Sequence, residues 1–171
     1  IGKYSISDTL LQVDAVNTED NPAEYISPPG VTGEFDQIAQ IHSREQSLAL
    51  RFFRLPAGQS GAARTVFFQG KNLIHYRKLK MFVYGDPGLT VPDSEGTKIE
   101  IFIQFGFDDN NYYEVRKKVF PGWDDRNNIE VDLWEIPKLK SAALSDSGRV
   151  NFKELENGEI WKVVGNPSLQ K

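Results

Sequence analysis

The sequence predicts an all-β protein: an antiparallel two-sheet sandwich of the jelly-roll, galactose-binding-like type, with at most one or two short helices. Three observations lead there. Apolar residues recur with period two in several short runs, and those runs are rich in β-branched and aromatic side chains. Clusters of Gly, Pro, Asn and Asp separate them at intervals of roughly 8 to 15 residues. With 171 residues the chain is long enough for one substantial core and too short for two comfortable ones. Residues 1–40 read as an extended strap or linker able to supply an edge strand, and residues 41–171 as the sandwich.

The elements follow in order. From Ile1 to Val16 apolar residues are scattered, and Asn17 to Gly33 is rich in Pro, Gly and acid, which favours turns and extended chain over regular structure. Ser47 to Phe53 alternates, with Leu48, Leu50 and Phe52 on one face and Ala49, Arg51 and Phe53 on the other; Pro56 and Gly58 end that strand. Thr65 to Phe68 reads as a second, short strand, followed by a turn at Gln69 to Asn72 and a helical turn at Leu73 to Tyr76. Leu79, Met81 and Val83 then alternate with Lys80, Phe82 and Tyr84.

Gly85 to Gly96 reads as a loop from a sandwich edge. Lys98 to Phe105 places Ile99, Ile101, Ile103 and Phe105 on one side, the clearest strand signal in the chain. Asp108 to Asn111 is a turn, Tyr112 to Val119 a strand, Pro121 to Asn127 a turn, and Ile129, Val131 and Leu133 mark a further strand. Only Leu133 to Leu144 has room for a helix, and Pro137 shortens it. Glu159 to Val164 is the final strand. The in-phase positions Leu48, Leu50, Leu79, Met81, Ile99, Ile101, Ile103, Ile129, Val131 and Leu133 are assigned to one core.

Lys and Arg number 20 against 24 Asp and Glu, a net charge of -4, with no basic block able to neutralise a row of phosphates; nucleic acid is excluded as a partner. The absence of cysteine removes disulfides, thiolate metal sites and a Cys nucleophile. No apolar run approaches the roughly 20 residues of a membrane helix, so direct membrane insertion of this segment is not expected.

Candidate sites are few. Asp108 and Asp109, with Asn110 and Asn111, and Asp124 with Asp125 offer hard oxygen ligands of the kind calcium takes between adjacent loops. The same residues dominate β-turns because they hydrogen-bond their own backbone. No cofactor is expected, calcium being the one exception the residues allow. Tyr112 and Trp123 could present flat rings to a sugar or peptide, although such rings more often fill cores. His42 and His75 sit in no nucleophile or metal motif. Glu130 and Asp132 share a strand face at carboxylate-pair spacing, yet their alternation with Ile129, Val131 and Leu133 describes a solvated face. Arg77, Lys78 and Lys80 form a basic run that either meets an acidic partner or guards an edge strand. No constellation supports catalysis, and the chain is read as not an enzyme.

One set of residues resembles a known family. Glu45, Gln46, Ser47 and Leu48, then Tyr76 to Phe82 (YRKLKMF), Asn110 to Glu114 (NNYYE), Asn127 to Leu133 (NNIEVDL) and Gly165 to Ser168 (GNPS) are similar to a repeated segment of the SprA/Sov family. Those proteins are the very large outer-membrane translocons of the type IX secretion, or gliding-motility, system of Bacteroidota. The resemblance implies a non-enzymatic β-sandwich module that contributes to protein secretion across the outer membrane and gliding motility through structural and protein-protein contacts. Its partners are then other domains of a larger parent chain and proteins of a secretion complex, in the cell envelope, on the periplasmic or the cell-surface side of the outer membrane. The alternative is an autonomous carbohydrate-binding jelly-roll module, with a glycan as ligand.

The chain opens on Ile1 and stops just after the GNPS turn, which reads as a segment of something longer. An open sheet edge is therefore expected beside the Glu159 to Val164 strand, or that edge is filled by residues around Ile6 to Val16. Placing a carboxylate at Ile101 is expected to abolish folding, because an unpaired charge in a core costs several kcal/mol, comparable to the stability of a whole domain; loss of cooperative thermal unfolding in Ile101→Asp is the measurement.

Overall fold

The computed structural model describes residues 11–33, 35–38, 40–53, 55–88, 99–140 and 150–170. It is built of antiparallel strands with short helical turns, as the alternation predicts, and it divides into two compact units, Ile1–Val66 and Phe67–Lys171.

In the first unit β1 (Leu11–Asn17) and β4 (Gln46–Phe52) form a two-stranded ribbon in which Leu11 stands opposite Phe52, Val13 opposite Leu50 and Ala15 opposite Leu48. Between them, β2 (Phe35–Asp36) and β3 (Ile41–His42) make a minimal pair. Residues opposite one another share a face, so one face of the ribbon carries Leu11, Val13 and Ala15 with Leu48, Leu50 and Phe52, and ends on the polar pair Asn17 and Gln46. That face is outward: Leu48 is 59% and Leu50 36% exposed. The opposite face is held by charge, with Arg51 bridging Asp14 and Glu24. Glu45 ties the following chain to the ribbon, accepting from the Gly33 N–H at 2.7 Å and the Tyr25 hydroxyl at 3.4 Å. These polar links settle the Asn17–Gly33 strap on the charged face, and for that reason Leu48 and Leu50 do not join the core to which their alternation assigned them.

In the second unit β5 (Lys78–Met81) pairs with β8 (Ile129–Asp132), and a four-stranded sheet runs in the order β6 (Glu100–Asp108), β7 (Asn111–Lys118), β10 (Ile160–Val164), β9 (Val150–Glu154). Its neighbours are the hairpins β6–β7 and β9–β10. Register sets transverse rows: Ile103, Val115 and Trp161 in one, Phe105, Tyr113 and Val163 in the next. Val115, Trp161, Tyr113 and Val163 of these rows join Ile129 and Val131 of β8 and the following Leu133 in one buried cluster, with Ile103, Phe105, Leu79, Met81 and Ile101 packed against it. Ile99 falls outside it at 50% exposed, one residue before β6 begins.

Three further expectations change. The edge predicted beside Glu159 to Val164 is absent, because β10 lies between β7 and β9, and the N-terminal strand pairs with β4 instead. Thr65 to Phe68 takes no regular structure and leaves Val66, Phe67 and Phe68 exposed; with no opposing strand among the described residues, the run has no ladder to join. The helix allowed at Leu133 to Leu144 begins as a short 3-10 turn, Ile136–Lys138, with Pro137 in its first turn, and 141–149 lie outside the described residues. Most of the Gly85 to Gly96 loop lies outside them as well.

The GNPS turn closes the unit. Gly165 adopts φ +65, and a Cβ there would stand 2.0 Å from the Asn110 carbonyl oxygen, so only glycine fits against the β6–β7 turn. Beyond it the Pro167 carbonyl accepts from the buried Tyr113 hydroxyl at 3.3 Å, and the Leu169 carbonyl from the Leu73 N–H at 2.9 Å.

The core assignment sets a contrast between two apolar truncations. Ile129→Ala, at a buried position, is expected to lower stability by about 2–5 kcal/mol, whereas Leu48→Ala should stay within about 0.5 kcal/mol of the parent; urea unfolding of the two variants measures both.

Candidate partner surface

The acidic turns are organised by their own hydrogen bonds. Asp108 accepts from the Asn110 N–H at 2.8 Å and the Asn111 side-chain amide at 2.9 Å, and these bonds, the Asn110 backbone bond first, hold its carboxyl below the ordinary value. Asp109 is the next residue of that turn. Asn111 in turn accepts from the Asn166 N–H at 2.9 Å, clamping the GNPS turn in place. Asp124 caps the 3-10 turn Asp125–Asn127 and takes Arg126 in a fork, Nε at 2.8 Å and Nη2 at 2.6 Å. The Arg126 bonds bring its pKa from 3.8 to about 2. Among the described residues no group of three or more His, Cys, Asp or Glu is placed to hold a metal ion.

Asn127 governs the loop that carries Trp123. It is fully buried; its Oδ1 accepts from the Phe120 N–H at 2.6 Å, while its Nδ2 donates to the Phe120 carbonyl at 2.7 Å and the Gly122 carbonyl at 3.1 Å. Gly122 also exchanges both backbone bonds with Gly85, at 2.7 and 3.1 Å. A Cβ on Gly85 would lie 2.0 Å from the Phe120 carbonyl oxygen, so close approach requires the glycine. Trp123 meets Tyr84 edge-on at 5.0 Å. Tyr112, at the other end of β7, lies under the Lys162 ammonium at 5.7 Å. The two rings named in sequence as able to meet a sugar or peptide thus have separate neighbours.

The basic run and the carboxylate pair, read separately in sequence, meet across one ladder. Register sets Lys78 opposite Asp132 and Lys80 opposite Glu130. Lys78 and Lys80 both pair with Glu130, the second at 2.9 Å, and Arg77 donates to Asp132 at 2.8 Å while lying 4.5 Å from the centre of the exposed Trp134 ring. Glu130 is held below its ordinary pKa by Lys78 and then Lys80. For Asp132, desolvation pushes upward, and the Trp134 N–H and Arg77 outweigh it to give a lowered value. Each cation of the run therefore has a carboxylate beside it on the same sheet.

Sequence reasoning missed the buried charges. Lys117 and Glu159, with side chains 9% and 2% exposed, form an ion pair at 3.3 Å; Lys117 also donates to the Asn128 carbonyl at 2.6 Å, and Glu159 accepts from the Trp161 indole at 2.5 Å. The signal was present in the phase of β7: Tyr113, Val115 and Lys117 share a face. The two histidines stand in different units. His42 Nδ1 lies 2.8 Å from the Gly33 carbonyl and its ring 5.1 Å from Phe35, while His75 is exposed in the Leu73–Tyr76 turn.

A family model described as "Motility related/secretion protein", SprA_N, matches residues 1–168. The chain belongs to this family. No curated protein and no solved structure matches it. SprA_N is described by motility and secretion and not by a reaction, in keeping with polar clusters in this member that bind one another. No helix among its described residues is long and apolar enough to cross a membrane.

The Asp124 fork gives an acid-side prediction. A carboxyl with a folded pKa of about 2 against an ordinary 3.8 adds stability that is present above 3.8 and is lost as pH falls toward 2. Melting temperature followed across this window should fall more gently in Asp124→Asn, which also starts from a lower value at neutral pH; an unchanged acid limb would contradict the assignment.

Proposed function

We propose that this chain is a non-enzymatic β-rich module of a cell-envelope protein similar to the SprA translocon, associated with the outer membrane, which contributes to secretion and gliding through structural and protein-protein contacts. The family match over residues 1–168 carries the reading. The side chains with chemical potential support it. Glu130 and Asp132 are neutralised by Lys78, Lys80 and Arg77, Asp124 by Arg126, and Glu159 by Lys117. An activated base or nucleophile needs a group left poised for a substrate, and these are engaged in holding the fold. Other domains of the parent chain and proteins of the secretion complex are the partners this role calls for.

Allelic replacement in a gliding bacterium tests it. Val131→Asp, which puts a charge into the core, is expected to abolish colony spreading and export of a secreted reporter, while His42→Ala, His75→Ala and Glu130→Gln leave both intact. Loss of export in any of the last three, with the protein folded and present at normal level, would overturn the non-enzymatic reading.

A further inference from the structure

The side of β1 turned away from β4 carries no strand among the described residues. Thr18 N–H donates to the Glu45 carbonyl at 3.1 Å, and with the register of the ribbon this makes Val16 with Ser47, Asp14 with Ala49 and Gln12 with Arg51 the hydrogen-bonded pairs. The backbone groups of Leu11, Val13 and Ala15 therefore point away from β4. Val13 and Ala15 are both exposed, and β4 is the only strand beside β1 among the described residues. Natural edges are usually blunted by Lys, Pro or a bulge. The segment LQVDAVN has none of these.

Charge narrows what could sit there. On the polar face of this edge stand Gln12 and Asp14, and the Asp14 side chain keeps 33% of its surface exposed beside Arg51. Glu19, Asp20 and Glu24 follow in the next two turns, with Asp20 beside Arg44 and Glu24 beside Arg51, so four carboxylates including Asp14 face two guanidinium groups here, and β1 itself holds no basic residue. The apolar face at the same edge is Val13 and Ala15, continuing across to Leu50 and Leu48.

We propose that β1 is a strand-addition edge that accepts an extended protein segment in which apolar residues alternate with Lys or Arg. Its backbone would complete the ladder at Val13 and Ala15, its apolar side chains would extend the Leu48–Leu50 face, and its cations would face Asp14. A lipid surface fits less well: it offers nothing to bare backbone groups, and seven residues fall short of the roughly 9–11 of a spanning strand. The inference deepens the reading of the chain as a contact-making module and rests on it.

The test titrates the full 171-residue chain with a peptide of roughly eight alternating Val and Lys residues, a length typical of strands, by calorimetry and amide hydrogen exchange. Saturable, salt-sensitive binding is expected, with exchange at Val13 and Ala15 slowed about tenfold or more, and an alternating Val–Glu peptide weaker by about tenfold. Ala15→Pro removes an outward N–H without touching the β4 ladder and should abolish binding. If that variant fails to fold, the exchange pattern in the parent chain still decides. No binding, equal binding by a folded Ala15→Pro chain, protection at Leu48 and Leu50 in place of Val13 and Ala15, or partitioning to phosphatidylcholine–phosphatidylglycerol vesicles in place of peptide binding would each overturn the proposal. A chain that supports export in cells yet ignores the peptide would remove this inference and leave the proposed function standing.

Discussion

The fold of the larger unit turns on a pair of charges in its interior. Lys117 and Glu159 sit on the core side of the four-stranded sheet, where an ion has lost its water and must recover it from neighbours. Each does so completely enough to stay: the ammonium has a carboxylate and the Asn128 carbonyl, and the carboxylate has the ammonium and the Trp161 indole. The groups come from β7, from the entry to β10 and from the residue just before β8, so three segments distant in sequence must arrive together. Apolar contacts tolerate sliding; a desolvated charge does not. Slipping β10 by one residue along β7 would turn Glu159 to the opposite face and strand Lys117 without a counter-ion.

Around that fixed point several other charges are arranged in small paired sets. Arg116 joins Glu100 and Glu114 on the outer face of the same sheet, with Gln104 donating to Glu114 at 2.6 Å. The Lys78–Glu130–Lys80 set covers the shorter sheet. Glu114 is itself buried and relies on Arg116 and Gln104, whereas the exposed pairs among these sets add little stability one at a time. Their larger effect is to leave few uncompensated fields on the sheet faces, so that apolar side chains such as Trp134 and Phe152 dominate what a neighbour would touch.

Strands β6, β7, β8 and β10 were legible because one face of each packs on the core, in β6 half-buried, and the alternation records it. β9 was not: in VNFKE both large apolar residues, Val150 and Phe152, are exposed, so the strand exists through its ladder with β10 and not through a core face. β4 gave the reverse error. Its alternation is real, but alternation states only that two faces differ, and here the charged one is covered because Arg51 finds Glu24 in the strap. The basic run and the acidic pair were each visible, yet their union depends on register between β5 and β8, which no local pattern encodes. Lys117 left a trace only in its phase with Tyr113 and Val115, and a charged residue reads as surface until its partner, here Glu159, is known.

The loop holding Trp123 is fastened by an amide that carries no charge. Asn127 makes three bonds to the backbone of Phe120 and Gly122 from a fully buried position, and none of the three groups it holds can gain or lose a proton in the range where proteins survive. Ionic strength and acidity reach the carboxylates around it and leave the fastening itself alone. In the cell-envelope role proposed for this chain, such a joint would keep one loop geometry through changes of salt and acidity that the surface charges must follow.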